Sequence, residues 1–104
     1  MSILTWFKNR EKLRQIREAK RQELFLEIKE AIIKILALSD KNDITLATRL
    51  VDDLGVDSFK TIELAMELEE KFDIEILDDD AEFMRTVKDI VDYLEKKISG
   101  SKTE

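Results

Sequence analysis

The chain has no cysteine, no histidine and no proline, and only two glycines in 104 residues. Without cysteine there are no disulfides, no thiolate nucleophile and no thiolate metal site. Without histidine the side chain most often used as a neutral base or a metal ligand is missing, which leaves carboxylates as the only anionic ligands. The lack of proline, the scarcity of glycine and an abundance of Leu, Ile, Glu and Lys point to an all-α fold. Aromatic residues are few, with one Trp and one Tyr, and the length suits one small domain with some chain to spare. No apolar run approaches the length of a membrane span. The opening MSILTWF is too short for the core of a signal peptide and no small-residue cleavage site follows it, so a cytoplasmic location is expected.

What is present is charge, and it is unevenly placed. Residues 1–22 hold seven Lys/Arg against two Glu, a net of +5, and residues 23–104 hold eleven against twenty-two, a net of −11. The basic segment begins with an apolar knob (Ile3, Leu4, Trp6, Phe7). Leu13, Ile16 and Ala19 follow at three-residue intervals, which predicts an added amphipathic helix that can merge with the next one. Three roles compete for it: lying on the acidic body, docking or self-association, and contact with an anionic membrane through Trp6 and Phe7. Nucleic acid is a poorer match, because the acidic body repels a phosphate backbone.

The rest divides at 23–98, with 99–104 a polar tail expected to be disordered. Leu24, Ile28, Ala31, Ile32 and Ile35 fall on one face of a core helix, and Leu36 extends that face. After the turn formers of DKNDIT, Ile44, Leu46 and Leu50 pin a long connection to the core, and DDLGVD forms a turn at Gly55. A helix from Ser58 to about Lys71 starts on Asp57, a good cap. Thr61, Leu64, Ala65, Leu68 and Phe72 mark its core face. Ser58, Ile62 and Met66 share another side, with Phe59 near it and Glu63, Glu69 and Glu70 bordering it. Ile74 and Ile76 are expected to face inward, a short helix is expected at about 79–84, and Thr86 with Asp89 forms a capping box for a last helix whose apolar stripe is Val87, Ile90, Val91, Leu94 and Ile98.

Ser58 poses the functional question. A serine nucleophile needs a base within reach, and this chain has no histidine. Asp57 and Glu63 belong to a wet surface, nothing desolvates Lys60, and a small helical domain offers no cleft for a carboxylate pair to hold a sugar. At the first turn of a helix, free backbone amides favour a negative group, so a phosphate ester made by another enzyme suits the position. Helix capping alone is the plain alternative.

The stretch DDLGVDSFKTIELAMELEEKF, continued by DIEILDDDAEFMRTVKDIVDYLEKKI, resembles the acyl carrier protein family over roughly residues 24–98. The resemblance implies a bundle of three main helices and one short helix. It implies a covalent 4'-phosphopantetheine on Ser58, with Asp57 recognised by a phosphopantetheinyl transferase. It further implies a partner face of Phe59, Ile62, Glu63, Met66, Glu69 and Glu70, an acyl pocket at Ala65 and Leu68, and no resident metal. The implied role is a non-catalytic carrier of fatty or related acyl thioesters, presented to acyltransferases, ketosynthases or similar enzymes with basic patches. Phe59, Lys60, Leu77, Phe83, Arg85 and the basic segment depart from the usual pattern. They keep open a specialised polyketide, lipid or D-alanyl/aminoacyl carrier, and a non-carrier adaptor using the same face.

Overall fold

In the computed structural model, residues 2–39 and 43–100 are described. Five helices follow one another: α1 (Ile3–Leu36), α2 (Leu50–Leu54), α3 (Ser58–Phe72), α4 (Asp78–Ala81) and α5 (Val87–Gly100). The principal packing is of α1 against α3 and α5. The core joins Ile28 and Ile32 of α1 to Leu64 and Leu68 of α3 and to Val87, Ile90, Val91 and Leu94 of α5, with Leu50 supplied by α2 and Ile44, Val56 and Ile76 by the connections.

The basic segment is not a separate helix. α1 runs unbroken for 34 residues, about 51 Å at 1.5 Å per residue, and so accounts for most of the 54 Å long axis of the molecule. Ser2 starts it by accepting the amide of Thr5 at 3.2 Å, and no Pro or Gly interrupts it. Only its C-terminal half is supported: Leu24, Ile28, Ala31 and Ile32 are buried, while residues 2–20 are exposed throughout. Of the three roles that compete for this segment, lying on its own acidic body is therefore the one its exposure speaks against. A three-residue spacing drifts by about 60° per step round a helix, so Leu13, Ile16 and Ala19 spiral instead of forming a stripe the body could bury.

Two ends come without glycine. Ala37 closes α1 and Asp73 closes α3, both in the left-handed region, at φ 53° and 54°. Gly55, at φ 69°, ends α2, a short helix in a connection whose form, irregular or short helical, the sequence leaves open. α4 covers Asp78–Ala81, shorter and earlier than the expected 79–84. Ser99 and Gly100 belong to α5, not to a tail, and residues 101–104 lie outside the described residues, as does part of the DKNDIT turn.

The long connection has a second task besides filling the core. The carbonyls of Thr48 and Leu46 accept the amides of Val87 and Lys88, at 3.0 and 2.9 Å. Thr86 Oγ1 accepts the amide of Asp89, and the Asp89 carboxylate accepts that of Thr86, at 3.1 and 3.0 Å. The expected capping box is thus present, and the opening turn of α5 is tied to the 44–48 loop. An antiparallel bridge between Arg49 and Thr86 continues the same seam.

Candidate functional site

The turn between α2 and α3 sets the site. Gly55 donates to Val51 O and Val56 to Leu50 O, both at 3.0 Å, which drives the Val56 side chain into the core. The next residue, Asp57, is extended and caps α3, its carboxylate accepting the amide of Lys60 at 2.8 Å. Thr61 returns both its amide and its hydroxyl to the Asp57 carbonyl, each at 2.9 Å. The amides of Ser58 and Phe59 are left without an intrahelical acceptor. Ser58 is the first helical residue, and it is exposed.

Ser58 lines an open cleft of about 1090 Å³. Leu50 and Val51 border it on one side, Ile62, Ala65 and Met66 of α3 on another, and Ile76, Ala81 and Met84 on a third. Arg49 and Arg85 stand at its edge with Asp52, Asp78 and Glu82. Arg49 is engaged by Asp53 at 3.0 Å, and its hydrogen bonds hold the Asp53 carboxyl below its usual range. The floor is apolar and the rim charged, the arrangement of a site that shelters a hydrocarbon and orients a polar end.

The sequence-predicted residues separate into groups. Phe59, Ile62 and Met66 are 69, 58 and 61% exposed and form an unpartnered apolar patch beside Ser58, with Glu70 also exposed. Glu69 is turned inward: its carboxylate accepts the amide of Ile76 at 2.8 Å and lines the cleft. Glu63 faces Lys60 at 3.3 Å; its Oε1 is buried there in ion-pair contact but without hydrogen-bond alignment. Ala65 borders the cleft, whereas Leu68 is 1% exposed in the core and does not line it. The residues that sequence reasoning missed at the cleft are Leu50, Val51, Ile76, Ala81 and Met84. They come from the short helices α2 and α4 and from the connections beside α4, all too short to carry a helical period.

The chemistry open to Ser58 is narrow. Lys60, the nearest lysine in sequence, commits its ammonium to Glu63 and to the Ile35 carbonyl at the end of α1, each at 3.3 Å. Asp57 is occupied as a cap. Neither geometry makes a base for the hydroxyl, and among the described residues no group of three or more acidic side chains is placed to hold a metal.

The comparisons with known proteins converge on this region. A family model described as the phosphopantetheine attachment site matches residues 27–94. The chain is 61% identical over 57 residues to an acyl carrier protein of Syntrophobacter fumaroxidans, covering 55% of this chain and 70% of that one. It is 41% identical over 78 residues to one from Exiguobacterium sibiricum, covering 75 and 98%. Among solved structures, it superposes on one assigned as an acyl carrier protein from Mycobacterium tuberculosis, with TM-score 0.62, 38% identity and coverage of 75 and 97%. A solution structure from Anaplasma phagocytophilum with the same assignment gives 0.65, 38%, and 72 and 88%.

Proposed function

The chain belongs to the acyl carrier protein family, whose members bear a covalent 4'-phosphopantetheine, and we propose that Ser58 is its attachment point. The observation that carries the assignment is the exposed Ser58 hydroxyl at the first residue of a 15-residue helix, at the mouth of an apolar cleft. The residues fit the group. The open first-turn amides of α3 suit a phosphodiester, and the cleft suits an apolar chain. The group supplies a thiol that this cysteine-free chain lacks, so that acyl groups are held as reactive thioesters.

The protein's own residues do the rest. Asp57 fixes the first turn of α3 so that the serine is presented outward, and stands beside it for recognition by the transferase. Ile62, Ala65, Met66, Ile76 and Met84 provide apolar shelter. Burial is favourable by about 0.8 kcal/mol per CH₂, and an open cleft still lets the cargo leave for each reaction. Fatty or related acyl chains suit that lining.

Phe59, Ile62 and Met66, with Glu70 beside them, form the face for the transferase and for acyl-processing enzymes with basic patches. Exposed ion pairs speed encounter but are each worth only about 0.2–1 kcal/mol, so partners exchange readily. The carrier unit is residues 23–98, with 1–22 an added arm. Intact mass before and after incubation with coenzyme A and a broad-specificity phosphopantetheinyl transferase tests the site. The expected result is a gain of roughly 340 Da in the wild type and none in Ser58→Ala. A gain retained by Ser58→Ala, or no gain in a folded wild type while a control carrier is loaded, overturns the assignment.

A further inference from the structure

A second hollow lies where the arm leaves the bundle. It has a volume of about 430 Å³ and is lined by Leu13 and Ile16 of the arm and by Leu24, Phe72 and Ile98 of the bundle. Leu13 and Ile16 are 58 and 52% exposed. On the arm side its rim is basic, with Arg17 and Lys20; toward the bundle it is acidic, with Glu23, Glu27 and Glu95. Among the described residues Arg17, Lys20, Glu23 and Glu27 make no side-chain ion pair, while Glu95 is approached by Arg21 at 3.5 Å. One surface therefore carries a basic half, an apolar middle and an acidic half.

A patch of that kind is self-complementary. Turned by a two-fold axis, its basic half meets an acidic half and its apolar middle meets itself, which is the requirement of an isologous dimer. We propose that the arm is a self-association element: in a reciprocal dimer each arm lies across the root groove of a second copy. Leu13 and Ile16 then pack on the partner's groove, and Arg17 and Lys20 face its glutamates.

The arm's arginines extend the match. Arg10, Arg14, Arg17 and Arg21 follow i, i+4, i+7 and i+11 spacing and share one helix face. Arg21, at the root, already pairs with Asp92 of the bundle at 2.9 Å, so this face recognises carboxylates where the bundle reaches it. Farther out the bundle is absent. The same chain cannot supply the partner surface, because an uninterrupted helix does not fold back on itself.

An anionic membrane is the rival occupant, and the arm suits it less. Ile3, Leu4, Trp6 and Phe7 fall within about 160° of one another at about 100° per residue, but Arg10, Arg14, Arg17 and Arg21 continue that same side, so the arm has no segregated apolar face of the kind that lies flat in a bilayer. The −11 body would also be held against a surface of its own sign.

Sedimentation equilibrium of the full chain over a range of concentrations and salt tests the proposal. The expected result is a mass rising from 12.2 kDa to twice that value, with association weakened by salt. The double variants Arg17→Glu/Lys20→Glu and Glu23→Lys/Glu27→Lys should each associate about ten-fold or more weakly. An equimolar mixture of the two should associate like the wild type, because both halves of the interface are then restored. Circular dichroism checks that each is helical, and Leu13→Gln/Ile16→Gln, with the same expected weakening, replaces any variant that is not. A wild type monomeric at every concentration, or a dimer indifferent to both charge reversals, overturns the proposal. So does a chain monomeric in solution that sediments with phosphatidylserine/phosphatidylcholine vesicles, and that outcome assigns the arm to the membrane.

Discussion

Along α1, residues 3–20 are exposed on every side and basic, whereas Leu24, Ile28, Ala31 and Ile32, only a few turns on, are buried against α3 and α5. The same secondary structure thus continues across the point where tertiary support stops. The bundle half is held by burial, and the arm half by local means: a Ser2 cap, good helix formers and the Arg14–Glu11 pair at 2.9 Å. A single long helix is therefore not one unit of stability. Most helical stability in proteins comes from tertiary packing, which the arm lacks, so within a single copy it belongs to the low-stability end of the molecule.

That contrast can be broken most directly by truncating one apolar residue in each half. Ile28→Ala should lower unfolding stability by about 2–5 kcal/mol, as for other buried aliphatic truncations. Leu13→Ala, measured where the protein is monomeric, should change it by less than about 0.5 kcal/mol. Urea denaturation reads both, and comparable losses would mean that the arm shares the bundle's cooperative unit.

A smaller effect is expected at high pH, and only in the bundle. The Tyr93 hydroxyl donates to Asp80 at 2.8 Å. Burial first, and then that bond and its charge, push the Tyr93 pKa up from 10.0 to about 12. The neutral phenol is the form that folding favours, so its contribution is complete below pH 10.0 and is lost as pH rises through about 12. Tyr93→Phe should flatten the alkaline fall of the melting temperature across that window. An unchanged slope would show that Tyr93 does not set it.

The smallest expected change sharpens the comparison at the far end of α1. Ala37 sits at φ 53°, a conformation that costs a non-glycine residue about 1–2 kcal/mol. Ala37→Gly removes that strain but loosens the unfolded chain, for a net gain of about 0.5–1 kcal/mol in the same urea experiment. A loss of stability would mean that the Ala37 methyl has a packing role that outweighs the backbone strain.

The legible parts of the fold are those with a period or a local cap. Val87, Ile90, Val91 and Leu94 announced α5, Thr86 and Asp89 its start, and Asp57 the start of α3. The illegible parts lack one. α2 and α4 have five and four residues, too few to display a helical repeat, so α4 was expected but with other bounds and the form of α2 stayed open, and α1 and α3 end on Ala37 and Asp73 without the glycine that marks such ends. At the site, the run around Ser58 suggested the hydroxyl, its helix and the exposed Phe59, Ile62 and Met66. It did not indicate that Glu69 turns to the Ile76 amide, that Lys60 reaches the end of α1, or that Leu68 lies behind the cleft.

By itself, then, the sequence determined an all-helical chain, a basic segment joined to an acidic one, and a serine, Ser58, at the start of an amphipathic helix with no histidine to activate it. Those properties depend on composition and on contacts within a few residues. Only the tertiary structure decided that the arm stands clear of the bundle, that the 44–48 loop seals the start of α5, and which connections wall the cleft. Each of those depends on groups far apart in the chain meeting with matched hydrogen bonds and shape, and one-dimensional periodicity carries no record of such meetings.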